Sequence, residues 1–105
     1  MASDFHVNFV SDGNVLTIRP EGHMDAVTSP ELDKRIHETL TNEFTTVILD
    51  FEKVEYVSSA GLRVILALEE DLEERNASLK VTNINEMVMD IFDLAGFTDF
   101  LDMDT

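Results

Sequence analysis

The chain contains no cysteine. That absence removes a disulfide framework, a thiolate metal site and a cysteine nucleophile together, and it is compatible with a reducing compartment. Basic residues are nearly as scarce. Seven Lys and Arg stand against 22 Asp and Glu, for a formal net charge of −15. Nucleic-acid binding rests on neutralising phosphates with Lys and Arg, so this balance argues against a nucleic-acid partner. Anionic membrane surfaces are disfavoured for the same reason. What remains is a soluble acidic surface, or one that complements a basic protein partner. No apolar run approaches the roughly 20 residues that a membrane-spanning helix needs, and Met1-Ala2-Ser3-Asp4 lacks the basic stretch and apolar run of a secretory signal. Glycine is thinly spread, at positions 13, 22, 61 and 96, which gives no phosphate-cradling loop.

What is present is hydrophobic periodicity. Hydrophobic residues make up 44% of the chain and fall in blocks, so a folded domain is expected rather than disorder. A chain of 105 residues is one domain, 1–105, long enough to bury a core without staples.

Phe5 to Val10 alternates as a strand, with Phe5, Val7 and Phe9 on one face. Ser11-Asp12-Gly13-Asn14 is a turn signal, and Val15 to Arg19 a second strand, making a hairpin that Pro20 is expected to end. After the polar Glu21–Asp25 segment, Thr28-Ser29-Pro30-Glu31 marks a helix start. Either Thr28 and Glu31 form a capping box, or Ser29 caps and Pro30 is the first helical residue. That helix runs to about Thr41, with Leu32, Ile36 and Leu40 on one face. Thr46 to Phe51 is short, apolar and β-branched, which predicts a strand buried on both faces. Glu52 to Val57 is a connection with room for a short extended piece. From Ser58 the pattern is helical, with Leu62, Ile65, Leu66 and Leu72 sharing a face and Asn76 ending it. Leu79 to Thr82 is a short strand. Asn85 starts a last helix that Gly96 closes, and Phe97 to Met103 is a final strand or a turn. The expected fold is therefore a single α/β domain. It has a mixed, mostly parallel sheet of four or five strands, an N-terminal hairpin and right-handed crossovers.

The stretch that could carry chemistry is Val57-Ser58-Ser59-Ala60-Gly61-Leu62, where a buried strand leads through a loop to two serines at a helix start. In an open α/β sheet, sites form outside the carboxyl ends of the strands. By itself, a serine there is an N-cap. A cap does not account for the second serine, nor for the small Ala-Gly pair, which lets another surface approach closely. A nucleophile elbow is excluded, because it needs glycine where the chain has Val57. His6, His23 and His37 read as surface histidines, and His23 with Asp25 lacks the further ligands of a metal site, so no catalytic residue, metal or cofactor is expected. The methionines at 24, 87, 89 and 103 are either core filling or an adaptable surface. Phe97, Phe100 and Leu101 form either a satellite core or an exposed patch.

Taken together, three segments resemble the STAS family in order and register. Ser58-Ser59-Ala60-Gly61-Leu62 after Val47-Ile48-Leu49-Asp50-Phe51 resembles its central motif. Gly22-His23-Met24-Asp25-Ala26, followed by Ser29-Pro30-Glu31-Leu32, resembles its Gly-x-x-Asp-Ala segment. Ile91-Phe92-Asp93-Leu94-Ala95-Gly96-Phe97 resembles its closing helix and turn. The resemblance implies a cytoplasmic bacterial anti-sigma factor antagonist, a monomer or weak dimer. Its unphosphorylated form binds an anti-sigma factor that is also a serine kinase, and a phosphatase resets it. It further implies Ser59 as the phosphoacceptor, with Ser58 as runner-up because some members carry an acidic residue there. Asp25, Ser58, Ser59, Ala60, Gly61 and Leu62 are implied as partner-binding. Asp25 read alone is a turn or capping aspartate. The alternative is a STAS interaction subunit of a signalling or transport assembly in which the serines only cap a helix.

Overall fold

The computed structural model describes residues 5–99 and 101–104. The alternating amino-terminal pattern becomes an antiparallel hairpin of β1 (His6–Asp12) and β2 (Val15–Met24). The pairing runs on to Asp12 opposite Val15, so only Gly13 and Asn14 form the turn, and Gly13 takes φ +61°. Glycine supplies that conformation without steric cost.

Six strands form one mixed sheet among the described residues, in the order β1-β2-β3-β5-β6, with β4 also beside β2. The parallel strands are β3 (Thr46–Asp50), β4 (Lys53–Val57), β5 (Ser78–Thr82) and β6 (Asp102–Asp104). The expected mostly parallel sheet with an N-terminal hairpin is what forms. It reaches six strands because both segments left open by the sequence, 53–57 and 102–104, are paired.

Pro20 does not end the second strand. β2 pairs with β3 through Val15–Ile18 and with β4 through Glu21–Met24. Pro20 stands between the two sets of partners, where a missing N–H leaves no parallel ladder bond unmade. Nor is β3 buried on both faces. Val47 and Leu49 are buried, whereas Thr46, Ile48 and Asp50 are half-buried. One face of the sheet carries the core and the other remains partly open.

Three helices complete the core: α1 (Ser29–Thr39), α2 (Ser59–Glu74) and α3 (Glu86–Leu94). Leu32 and Ile36 of α1, Ile65, Leu68 and Leu72 of α2, and Val88 and Phe92 of α3 join Val47 and Leu49 in one cluster. Leu66 is the exception to the expected α2 face. It is exposed, and Leu68 is buried in its stead. The Asn85 side chain accepts from the Val88 N–H at 2.8 Å and caps α3, and its amide donates to the Val54 carbonyl at 2.9 Å. Gly96 closes α3 with φ +81°. A 3-10 turn (Phe97–Asp99) then leads to β6. Phe92 packs edge-on to Phe51 at 6.0 Å and tilted on Phe97 at 5.6 Å, an arrangement that contributes about 0.5–1.5 kcal/mol per pair beyond area burial. Phe97 and Leu101 thus belong to the main core; Phe100 lies outside the described residues. Met24 is buried, Met89 and Met103 are half-buried and Met87 is exposed, so the methionines do not form one surface.

Candidate functional site

The site is built where β2 and β4 end and α2 begins. Met24 and Val57 are paired at the ends of the two strands. The next residue after Val57 is tied back across this junction, for the Ser58 N–H donates to the Met24 carbonyl at 2.8 Å. Ser58 holds the N-cap position with extended backbone, and its carbonyl accepts from the Leu62 N–H at 2.9 Å. Its side chain makes no capping hydrogen bond, and its hydroxyl is buried without a hydrogen-bond partner. Ser59, the first helical residue, is exposed. The two serines therefore differ in access although they are adjacent.

Gly61 explains how closely the helix end seats. A Cβ built there would lie 2.8 Å from Val57 Cγ1 and 2.9 Å from the Met24 carbonyl oxygen. Only glycine permits that approach. The small residues seen in the sequence thus bring α2 onto its own sheet; Ala60 and Leu62, on either side of Gly61, are half-buried.

Asp25 follows Met24 directly and turns the chain into α1. One carboxylate oxygen, Oδ1, accepts from the backbone N–H of Val27 at 2.9 Å and of Thr28 at 3.0 Å. Those N–H groups of Thr28 and Val27, joined by the Thr28 hydroxyl and the His23 charge, hold the Asp25 carboxyl below the usual carboxylate range against the opposing effect of burial. The Thr28 hydroxyl accepts from the Asp25 N–H at 2.9 Å and donates to the His23 carbonyl at 2.6 Å. It does not reach into the helix, so the expected Thr28–Glu31 capping box is absent. Pro30 does stand in the first turn, as the other expectation had it. Ser29 does not cap either, since it is already helical and its hydroxyl is buried without a partner. The Asp25–Thr28 lock was not foreseen, although Asp-x-x-Thr before a helix is a spacing that a turn reading could have found.

The structure brings Ser58, Ser59, Ala60, Gly61 and Leu62 together with Asp25 through the Met24 carbonyl. Two of the histidine rings have carboxylate neighbours outside this cluster. His23 Nε2 is 3.6 Å from Glu55 and its ring lies edge-on to Tyr56, while His37 contacts Asp33. Among the described residues, no three His, Asp or Glu side chains gather as a metal site. A cleft of about 340 Å³ opens where β3 gives way to β4 beside β2, lined by Pro20 and by the polar Asn8, Arg19, Glu21, Asp50, Glu52 and Lys53, and none of the site residues borders it. No helix among the described residues is long and apolar enough to cross a membrane. The α2 N-terminus has no acidic side chain in its first turn, so its N–H groups and positive dipole end are uncompensated.

The STAS domain family matches residues 6–105, and the chain belongs to that family. It is 26% identical over 77 residues to a putative anti-sigma factor antagonist, BtrV, of Bordetella bronchiseptica, covering 73% of this chain and 66% of that protein. It is 23% identical over 100 residues to the anti-sigma-B factor antagonist of Bacillus subtilis, covering 95% of this chain and 91% of the relative. Its fold matches that of an anti-sigma factor antagonist from Mycobacterium paratuberculosis, with a TM-score of 0.86 at 20% identity over 96% of this chain and 86% of the other. It also matches the antagonist SpoIIAA in its unphosphorylated form, with a TM-score of 0.72 at 20% identity over 94% of this chain and 86% of the other. For the phosphorylated form of that Bacillus protein the TM-score is 0.71 at 20% identity, over 96% and 91%.

Proposed function

We propose that the chain is a cytoplasmic anti-sigma factor antagonist switched by phosphorylation of Ser59. In this scheme the unphosphorylated form binds an anti-sigma factor that is also a serine kinase, and the sigma factor is released. Phosphate on Ser59 breaks the complex, and a phosphatase restores it. The chain is the substrate of this cycle and not its enzyme.

The observation that carries the reading is the contrast between the exposed Ser59 and the buried hydroxyl of Ser58 at the same helix end. A kinase needs the hydroxyl it modifies to be accessible, which favours Ser59. Phosphoserine adds roughly −1.5 to −2 charges at neutral pH. At the N-terminus of α2, with no acid in the first turn, the free N–H groups and the dipole favour that charge. The fold is kept, and what changes is the surface offered to a partner. Losing about 3 kcal/mol of binding weakens a complex more than a hundredfold.

The test is phosphosite mass spectrometry after incubation with ATP and host lysate, followed by partner binding of Ser59→Ala and Ser59→Asp. Phosphate at Ser59, with binding kept by Ser59→Ala and weakened by Ser59→Asp, is the expected result. Phosphate on Ser58 alone moves the switch by one residue. No phosphate, with both variants binding like the parent, makes the chain an interaction subunit without a switch.

A further inference from the structure

The loop that abuts α2 presents a different side chain from the one its acidic residue suggests. Asp25 Oδ1 already accepts from two backbone N–H groups, at 2.9 and 3.0 Å, and Asp25 itself is half-buried. Thr28 is 6% exposed, and its hydroxyl is occupied as acceptor from Asp25 and donor to His23. These bonds close the segment from His23 to Thr28 into a hydrogen-bonded ring. The ring is joined to α2 by the Ser58 N–H on the Met24 carbonyl at 2.8 Å. Its outward residues are Ala26 and Val27, and Val27 is 79% exposed.

A lone exposed valine is ordinary on a protein surface. This one differs in how it is held. Its own N–H is fixed by Asp25 and the next residue is buried, so the backbone under the side chain is rigid. A β-branched side chain also has few rotamers to lose. Tyr56, another exposed large hydrophobic, stands on β4 two residues before Ser58, with its ring against His23. Two exposed apolar side chains thus lie on the two segments that meet at the Ser58–Met24 bond, within a chain of net charge −15. That charge disfavours an anionic bilayer or a nucleic acid as the occupant of this surface. An apolar pocket on a protein partner suits it.

From this geometry we infer that Val27 is the group of this loop that enters an apolar pocket on the protein partner of the Ser59 surface, and that Asp25 and Thr28 are positioning residues that hold Val27 there. The inference rests on the reading that Ser59 faces a kinase partner. Asp25→Asn is the discriminating variant. Asparagine keeps an Oδ1 acceptor for both N–H groups and removes the charge.

The experiment measures the initial rate of Ser59 phosphorylation of purified variants by ATP and host lysate, with 15N–1H spectra to verify each fold. Val27→Ala is expected to slow it roughly 10- to 15-fold, the effect of losing two buried methyl groups. Val27→Asp is expected to slow it more than a hundredfold, by placing a charge in an apolar pocket. Asp25→Asn and Thr28→Ser stay within about twofold of the parent, whereas Asp25→Ala and Thr28→Val lose most of the rate. If Asp25→Asn loses as much as Asp25→Ala while both Val27 variants match the parent, the carboxylate is the contact and the inference is overturned. A parent chain that takes up no phosphate at Ser59 overturns the underlying reading as well. Phosphorylation that is indifferent to Val27 overturns only this one.

Discussion

The carbonyl of Met24, at the end of β2, accepts the N–H of Ser58, at the start of α2, at 2.8 Å. This bond joins two segments that are remote in the chain and sets where the first turn of α2 begins. It places a buried serine hydroxyl and an exposed serine side by side. The seating of α2 passes through this junction, and its consequences, together with those of the charges at Asp50 and at the far end of α2, can be measured.

Gly61→Ala should destabilise the domain. In an ordinary helix the change would stabilise by up to about 1 kcal/mol, because glycine is a poor helix former. Here the new Cβ meets Val57 Cγ1 at 2.8 Å and the Met24 carbonyl at 2.9 Å, and a backbone atom cannot move aside cheaply. Overpacking of this kind costs about 1–3 kcal/mol, a fall in Tm of several degrees or more for a domain of this size. A variant that melts at or above the parent temperature would contradict the seating described for α2.

Ser58→Ala and Ser59→Asp should both keep the fold, for different reasons. Loss of a working N-cap costs about 0.5–2 kcal/mol. The Ser58 hydroxyl makes no capping bond and is buried without a partner, so its removal should lie within about 0.5 kcal/mol of the parent or stabilise. A larger loss in urea denaturation would reveal a bond that Ser58 makes in solution. Ser59→Asp adds a negative charge at the positive end of α2 and should melt at or slightly above the parent temperature. Gross unfolding by circular dichroism would mean that charge at Ser59 acts on the fold and not on the surface, against the proposed switch.

Acid should weaken the domain partly through Asp50. Burial pushes its carboxyl up, but the Asn83 amide, the Glu52 N–H and Arg19 together outweigh that effect and hold it below the usual range. A carboxyl with a lowered folded-state pKa contributes stability that is present above its unfolded value, 3.8, and lost as pH falls through the folded one. The stability difference between the parent and Asp50→Asn should therefore be constant at neutral pH and shrink as pH falls below about 4. Glu69 acts in the opposite sense. Burial, with Glu73 nearby, raises its pKa, so its neutral form is favoured in the fold. A parent–variant difference at Asp50 that grows toward acid pH would reverse the sign argued here.

The carboxyl end of α2 is electrostatically unfavourable. Glu70, Glu73 and Glu74 crowd its last turns, no basic residue stands in the final turn, and Arg75 at the C-cap is paired with Asp71 at 3.3 Å. Glu70 and Glu74 are also like charges at i, i+4 spacing. Glu74→Lys should stabilise the domain by about 0.3–1 kcal/mol at low ionic strength. The gain should fade in 1 M salt, where screening shortens the reach of exposed charges to about 3 Å. A salt-independent gain would point to packing instead.

Much of the fold was legible because local patterns agree with it. The hairpin, the caps at Asn85 and Gly96 and the α1 face of Leu32, Ile36 and Leu40 all follow from spacing and turn chemistry. The departures of the fold from local pattern have a common cause. Pro20 was expected to end its strand because proline lacks a donor. It sits where β2 exchanges β3 for β4, and the exchange is invisible from Pro20 itself. Ile48 was expected to be buried because its neighbours are apolar, yet its side of the sheet is only half-covered. Leu66 shares the expected apolar face of α2 by spacing yet is exposed, because every face of the middle turns carries an apolar residue. The lock of Asp25 and Thr28 rests on two side chains whose types suit either a cap or a turn, and the position of the His23 carbonyl decided between them.

The sequence by itself determined the absence of thiol chemistry, the acidic balance, the three helices, the hairpin and the pair of serines at a helix start. These are properties of composition and of residues close together in the chain. Which serine stands in solvent was decided only by the tertiary structure, as was the turning of Asp25 into its own loop. Burial and hydrogen bonding are set by neighbours that come from elsewhere in the chain: Met24 over the start of α2, and β4 beside the far half of β2.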